Sequence, residues 1–404
     1  MGGSPVGDQF DRDVVVIGGC GHVGLPLAIA FADRGARVGI YDTSEAAVAT
    51  VNAGRLPFDE PGATEVLERV VAAGRLVASA EASIVGSAEH VVVVIGTPVD
   101  EHLNPNPEKI PIALGGCAPY LRDGQLLVMR STVFPGVTAL VEKMVANLGV
   151  KIEVAFCPER IAEGKAMTEL FELPQIVSAR TPHGMERAAK LFSLLTDSVV
   201  ELSPEEAELA KLFTNVWRYI KFATANQFYM MANDRGLDFE RIRKGLSRDY
   251  PRAADMPGAG FAAGPCLFKD TMQLAAFNNN QFALGHTAMT INEGLPLYLV
   301  HRLEQQFDLG SMTVGILGMA FKAGSDDIRS SLSYKLKRIL AFKADTVLCA
   351  DPYVTVDPNL LPHEEVLARS DLLIIAAPHP EYRDLVTDKP VADIWNVLGN
   401  GVRV

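Results

Sequence analysis

Apolar residues fall in short unbroken runs at 14–18, 36–41, 91–96 and 125–130, with two more strand-like runs at 152–156 and 176–179. Longer stretches of helical spacing, such as 24–34 and 137–148, separate them. A strand that is apolar at every position, rather than at alternate ones, is covered on both faces. This half therefore predicts a doubly wound α/β domain whose sheet extends to about residue 200. At Ser203-Pro204-Glu205-Glu206 an N-cap, a first-turn proline and a capping-box glutamate open a helix. No breaker follows before Gly236, which predicts a helix of about 32 residues, roughly 48 Å long. Further helices run to about 309, and strands return at 313–318, 346–350, 372–376 and 391–394. The order is α/β, then all-α, then α/β: a disordered leader at 1–12, then domains at 13–202, 203–309 and 310–404.

Composition narrows the class. The 404 residues are 48% hydrophobic and 21% charged, a globular profile long enough for two or three domains. No apolar run approaches the roughly 18–20 residues of a membrane span, and the start lacks the apolar stretch of a secretory signal. A net charge of −12 argues against nucleic acid or an anionic membrane as partner, though not against a small anion held by a few local cations. The five cysteines, at 20, 117, 157, 266 and 349, are scattered with no CxxC spacing. That pattern fits a reducing cytoplasm and argues against a disulfide framework or a zinc site.

The first apolar run leads directly into Gly19-Cys20-Gly21-His22-Val23-Gly24 and then a helix. Gly19 suits a tight turn, Gly21 the close approach of a pyrophosphate to backbone, and Gly24 close helix–strand packing. Asp42 follows the second strand, 18 residues after Gly24, where a ribose hydroxyl needs an acceptor and a 2′-phosphate would be repelled. NAD is therefore the expected cofactor, making 13–202 a Rossmann domain. A second strand–glycine junction, 315–320, lacks the full fingerprint. Asp351 lies too far along to complete it, so no second NAD is placed there.

A flexible stretch with Gly258, Gly260, Phe261 and Gly264 ends in Cys266, followed by Lys269 and Asp270. Glycine-rich backbone can approach an anion closely, and a neighbouring cation and carboxylate suit a reactive thiol.

Taken with Gly96-Thr97-Pro98, Ser131-Thr132-Val133-Phe134-Pro135-Gly136, Pro158-Glu159-Arg160, Lys211-Leu212-Phe213-Thr214-Asn215 and Phe321-Lys322 before Asp326-Asp327-Ile328-Arg329-Ser330, these motifs occur in a characteristic order. After its leader the chain resembles the UDP-glucose/GDP-mannose dehydrogenase family along essentially its whole length. The resemblance implies oxidation of a nucleotide-sugar C6 alcohol to the carboxylate with two NAD per turnover. It implies Cys266 as covalent nucleophile and Lys211 and Asn215, one helical turn apart, at the reacting carbon. Asp270 would manage water or protons, and Glu159 would be the base in thioester hydrolysis, sharing a water with Thr132. Cofactor contacts would come from His22, Val23, Thr97, Thr132, Glu163 and Arg329 besides the glycines and Asp42. Glu159, Lys211, Asn215, Gly258, Gly260, Phe261, Phe321, Lys322 and, from a neighbouring subunit, Arg252 would meet the substrate. The C-terminal domain would bind the nucleotide sugar and the long helix would form a homodimer.

Three departures stand out. His22 replaces the usual Tyr, the loop from Phe261 to Cys266 is one residue longer than the common form, and Asp393-Ile394-Trp395-Asn396 lacks a substrate-binding Arg, with Arg403 too near the terminus to replace it. Cys-x-x-Lys-Asp resembles the UDP-glucose and GDP-mannose branch, so UDP-glucose is the expected substrate. UDP-N-acetylhexosamines and GDP-mannose are the alternatives. Two more distant readings are a two-electron hydroxyacid dehydrogenase, needing one NAD and no thiol, and a non-catalytic nucleotide-sugar binder.

Overall fold

The computed structural model describes residues 10–97, 100, 106–401 and 404. Most of the expected leader, together with Pro98 and Arg403, lies outside them. Within the leader span Phe10 is buried, and the first strand begins at Arg12. Two compact units are present, Met1–Phe213 and Thr214–Val404.

The first unit is built on six parallel strands, β1 (Arg12–Ile17), β2 (Val38–Tyr41), β3 (Leu76–Ser79), β4 (Ala88–Val93), β5 (Leu126–Met129) and β6 (Glu153–Phe156). Their order is β3-β2-β1-β4-β5-β6, the Rossmann arrangement, in which the strand order reverses between β1 and β4. Val14 and Val16 point into one core, Val15 and Ile17 into the other. Two buried faces are why the strand reads as an unbroken apolar run. The helices are α1 (Gly24–Asp33), α2 (Glu45–Asn52), α3 (Thr64–Ala72), α4 (Lys109–Gly115), α5 (Val137–Asn147), α6 (Ala166–Glu172) and α7 (Pro182–Phe192). The run at 176–179 does not extend the main sheet as expected. Its strand, β7 (Gln175–Ser178), pairs with β8 (Val199–Leu202) and meets β6 through the Ser178 hydroxyl on Phe156 O (2.7 Å), next to an antiparallel bridge from Ala179 to Ala155.

Helix α8 (Pro204–Asn233) is 30 residues long, about 45 Å. At its start Ser203 and Glu206 form the reciprocal cap that the sequence announces. One turn in, the buried Glu208 accepts from the amides of Gly136 (2.7 Å) and Thr138 (2.8 Å) and from the Thr138 hydroxyl (2.6 Å). It thereby caps α5 and fixes the end of the Ser131–Gly136 motif.

In the second unit α9 (Phe239–Ser247), α10 (Leu267–Phe277) and α11 (Ala283–Glu304) precede β9 (Thr313–Leu317), α12 (Leu332–Leu340), β10 (Thr346–Ala350), α13 (His363–Arg369), β11 (Leu372–Ile375) and β12 (Val391–Asp393). These strands form a parallel sheet in the order β10-β9-β11-β12. Tyr229 of α8 and Leu295 and Leu299 of α11 share one core with Val314 and Ile316 of β9. The change of pattern at Gly310 therefore marks a change of element type, with no break in packing.

The two sheets share a local design. Gly18 after β1 and Gly318 after β9 both have positive φ, +73° and +95°, and an aspartate follows the neighbouring strand in each. Asp42 accepts from the Cys20 amide (3.0 Å), and Asp351 from the amides of Met319 (2.6 Å) and Ala320 (2.9 Å). Asp351 is thus the structural counterpart of Asp42 despite its distance in sequence. Unlike Asp42, it is sealed, taking two further amides from Tyr353 and Val354 and a bond from His379 Nε2 at 3.1 Å. Burial raises the Asp351 carboxyl, but the His379 and backbone hydrogen bonds outweigh it and hold it below the ordinary carboxylate range. Among the described residues no helix is long and apolar enough to cross a membrane.

Candidate active site

The glycine turn is set by contacts that leave no room for a side chain. A Cβ on Gly18 would be driven into the carbonyl oxygen of Val94, and one on Gly24 would sit 2.6 Å from the Gly18 carbonyl oxygen. Gly19 is also closed, by Ile40 and the Val16 carbonyl. Gly21 is exposed, and a Cβ there would meet nothing nearer than 4.0 Å. The tight turn expected at Gly19 is made by Gly18, whose amide donates to Tyr41 O (2.8 Å). Gly21 is left as the open approach at the start of α1, where the first amides of a helix have no intrahelical partner and favour an anion. Asp42 also accepts from the Ser44 amide (3.0 Å).

Around this turn, loops that follow other strands carry most of the remaining cofactor candidates. Thr97, after β4, donates its hydroxyl to Thr132 O, after β5 (2.6 Å), and the Ile95 amide donates to Ser131 Oγ (2.7 Å). His22 lies on Phe58 with ring centroids 4.0 Å apart, its Nδ1 3.7 Å from Glu163 Oε1. The unusual histidine thus joins Glu163, and Val23 stands just before α1. Arg329 belongs to the second unit, where Asp327 grips its guanidinium through both carboxylate oxygens.

Glu159 is held more tightly than its exposed-loop sequence context suggests. Its Oε1 accepts the amides of Arg160 (2.6 Å) and Ile161 (2.9 Å), and Oε2 pairs with the guanidinium of the fully buried Arg130.

In the second unit Cys266 is exposed and immediately precedes α10, so negative charge on its sulfur would sit at the positive end of a helix dipole. The other four cysteines are buried. Burial pushes the thiols of Cys20 and Cys157 up to about 12 and that of Cys349 to about 11, and raises Cys117 as well. Under native conditions at pH 8, iodoacetamide should therefore label a single thiol. Peptide mapping should find it on Cys266, and comparable labelling of Cys157 or Cys20 would contradict this assignment.

One turn into α10, the fully buried Asp270 accepts from Asn215 Nδ2 at 2.5 Å and lies 3.2 Å from Lys269 Nζ. Lys211, also buried, stands one turn before Asn215 on α8. This burial makes Asp270 an anchor for Asn215 and Lys269 and removes it from bulk water.

The loop before Cys266 is clamped in its extended form. Asn226 of α8 bonds Gly260 twice, from its Nδ2 to the carbonyl (3.0 Å) and from the Gly260 amide to its Oδ1 (2.9 Å). A Cβ on Gly260 (φ +147°) would enter the Trp395 ring, and one on Gly264 (φ +99°) would lie 2.6 Å from the Phe321 ring. Phe261 meets Trp395 edge to face at 6.4 Å, and Lys322 Nζ lies 5.4 Å from the Phe321 ring centroid. Trp395, at the position lacking an arginine, therefore braces the loop, with its indole N–H on Ala376 O (3.1 Å). Gly258 opens the loop, and Arg252 packs on Tyr250 outside this cluster. Among the described residues no group of His, Cys, Asp or Glu is arranged to hold a metal ion.

Three family models match in order and cover most of the chain. They are the NAD-binding domain (12–196), the central domain (205–294) and the UDP-binding domain (315–400) of UDP-glucose/GDP-mannose dehydrogenases. The chain belongs to this family. NAD is accordingly its cofactor. Among its curated relatives are the UDP-N-acetyl-D-mannosamine dehydrogenases of Pyrococcus horikoshii, 28% identical over 96% of this chain and 93% of that one, and of Escherichia coli K12, 27% identical over 90% and 93%. Among solved structures, a UDP-glucose dehydrogenase from Pyrobaculum islandicum superposes with a TM-score of 0.90, 28% identity, and coverage of 100% and 99%.

Within this UDP-glucose/GDP-mannose dehydrogenase family member, sequence reasoning missed Gly18, Arg130, Asn226 and Trp395. Gly18 adjoined the recognised glycines, and Arg130 was visible as a charge ending an apolar run. Nothing local in the sequence marks Asn226 or Trp395 as loop anchors.

Proposed function

We propose that this protein is an NAD-dependent nucleotide-sugar 6-dehydrogenase that takes the C6 alcohol of UDP-glucose to the carboxylate. The observation that carries the chemistry is the lone exposed thiol, Cys266, at the start of α10 beside the Lys269–Asp270–Asn215 cluster. The Gly18–Gly24 turn and Asp42 would hold NAD, which would supply the hydride acceptor for each of the two oxidations at C6. The chain's own residues handle the carbon between those events. Cys266 adds its sulfur to the aldehyde carbon, giving a thiohemiacetal that prevents escape; its oxidation leaves a thioester on the same sulfur. Lys211 and Asn215 stabilise the oxygen of that carbon. Water then attacks the thioester with Glu159 as base, aided by Thr132, and releases the acid and the thiol.

Lys269-Asp270 after the cysteine and the likeness to the Pyrobaculum islandicum enzyme support UDP-glucose. A second reading, a UDP-N-acetylhexosamine such as UDP-N-acetylmannosamine, is favoured by the named activities of the curated relatives. NADH counted per mole of limiting sugar nucleotide tests both. We expect two per UDP-glucose. Two with UDP-N-acetylmannosamine and none with UDP-glucose would select the second reading, and one NADH from either would replace both with a two-electron dehydrogenase. We also propose a homodimer formed along α8, which leaves Trp217, Phe228 and Met231 exposed at 59%, 43% and 51%, an apolar stripe suited to a second copy.

A further inference from the structure

Arg130 is a cation with no route to solvent, held through its two terminal nitrogens while its buried Nε has no hydrogen-bond partner among the described residues. Its Nη1 donates to Cys157 O (3.1 Å), and its Nη2 to Gln175 Oε1 (3.1 Å) and to Glu159 Oε2. The guanidinium carbon lies 4.7 Å from the Phe192 ring centroid. The Glu159 amide in turn donates to Arg130 O (3.3 Å). The two residues are thus locked through side chain and backbone together, tying the end of β5 to the loop after β6.

A carboxylate offers about four acceptor positions. The Arg160 and Ile161 amides take two on Oε1 and Arg130 takes one on Oε2. The remaining position is on Oε2, and the Glu159 side chain retains 10% exposure.

We propose that Arg130 is a positioning residue for the hydrolytic half of the reaction, fixing Glu159 so that the last lone pair of Oε2 is the one presented to water. This rests on the reading in which Glu159 assists attack on the Cys266 thioester. In that step the water oxygen bonds to the thioester carbon and one water proton passes to Oε2. The C–S bond breaks and Cys266 leaves as thiolate, with no change of oxidation state. Arg130 touches neither water nor substrate, and it has no part in the formation of the first NADH.

Rapid-mixing kinetics and intact-mass measurement of the Cys266 adduct test this, using wild type, Arg130→Met and Arg130→Lys, each with and without Glu159→Gln. Arg130→Met should keep the first NADH burst within about threefold while steady-state turnover falls about 100-fold and the acyl adduct accumulates. Arg130→Lys, which keeps the charge but loses the fork, should recover about tenfold of that loss. In the Glu159→Gln background, Arg130→Met should add less than about twofold, because its route of action is already gone. Burst and turnover falling together, or an equal further loss in the Glu159→Gln background, would overturn the proposal. If Arg130→Met does not fold, Arg130→Lys decides alone: slowed turnover with a visible adduct supports the assignment, and slowing without one refutes it. A wild-type enzyme that yields one NADH and never forms a Cys266 adduct would refute the parent reading instead.

Discussion

Cys266→Ser should lower steady-state NADH formation by on the order of 10⁴-fold or more, because the nucleophile acts as a unit with its surroundings and has no substitute. Serine preserves size and a hydrogen-bonding proton, so the clamped loop and α10 should survive and the variant should melt with the wild type. Its hydroxyl is far less ionised than a thiol and gains little from the helix dipole. The first hydride transfer needs no sulfur, so the variant should still interconvert alcohol and aldehyde slowly, and an added carbonyl trap should collect the aldehyde. Two NADH per sugar at more than about a hundredth of the wild-type rate would remove Cys266 from the mechanism. None of the other four cysteines can replace it, since each is buried and held as a neutral thiol.

Adjacent glycines should separate binding from stability. Gly21→Val places its side chain in open space, its Cβ meeting nothing nearer than the Gly18 carbonyl oxygen at 4.0 Å. We expect an unchanged melting temperature and a KM for NAD raised about 100-fold or more, as bulk excludes the pyrophosphate from the backbone. Gly18→Ala should do the reverse damage. Left-handed backbone alone costs about 1–2 kcal/mol for a residue with a Cβ, and here that atom is also forced into the Val94 carbonyl. A loss of about 3 kcal/mol or more should follow, lowering the melting transition before any effect on NAD can be read. Calorimetry with and without NAD distinguishes the two, and an unfolded Gly21→Val or an unperturbed Gly18→Ala would contradict the assignment of roles.

These contrasts show which parts of the molecule were legible in one dimension. Strands buried on both faces announce themselves as apolar runs, so β1, β4 and β5 were plain. The short edge strand β3 was not, because Leu76–Ser79 alternates between buried and half-buried positions. The pairing of β7 is not legible in its own residues because a strand's partner depends on where the chain returns, here at 199–202. The glycine fingerprint located the turn. Which of two neighbouring glycines adopts positive φ was decided by the Tyr41 carbonyl and Val94, both supplied by other strands. Arg130 stood out as a misplaced charge, yet its partners lie 27 to 45 residues away. Spacing alone hides Asp351, although its strand lies beside β9 as that of Asp42 lies beside β1.

The sealed Asp351 has a consequence for how this chain uses two sheets of similar plan. At the first turn the acidic side chain takes two amides, those of Cys20 and Ser44. At the second, His379 and four amides already saturate it, with His379 Nδ1 accepting the Gly324 amide (3.1 Å). A histidine from the chain itself has become the permanent tenant of the acidic corner. The loop carrying Phe321, Lys322 and Gly324 is thereby pinned to the sheet through contacts made by the chain itself. Two turns of similar plan thus end differently: the first aspartate takes two amides, while the second is filled by a histidine of its own chain.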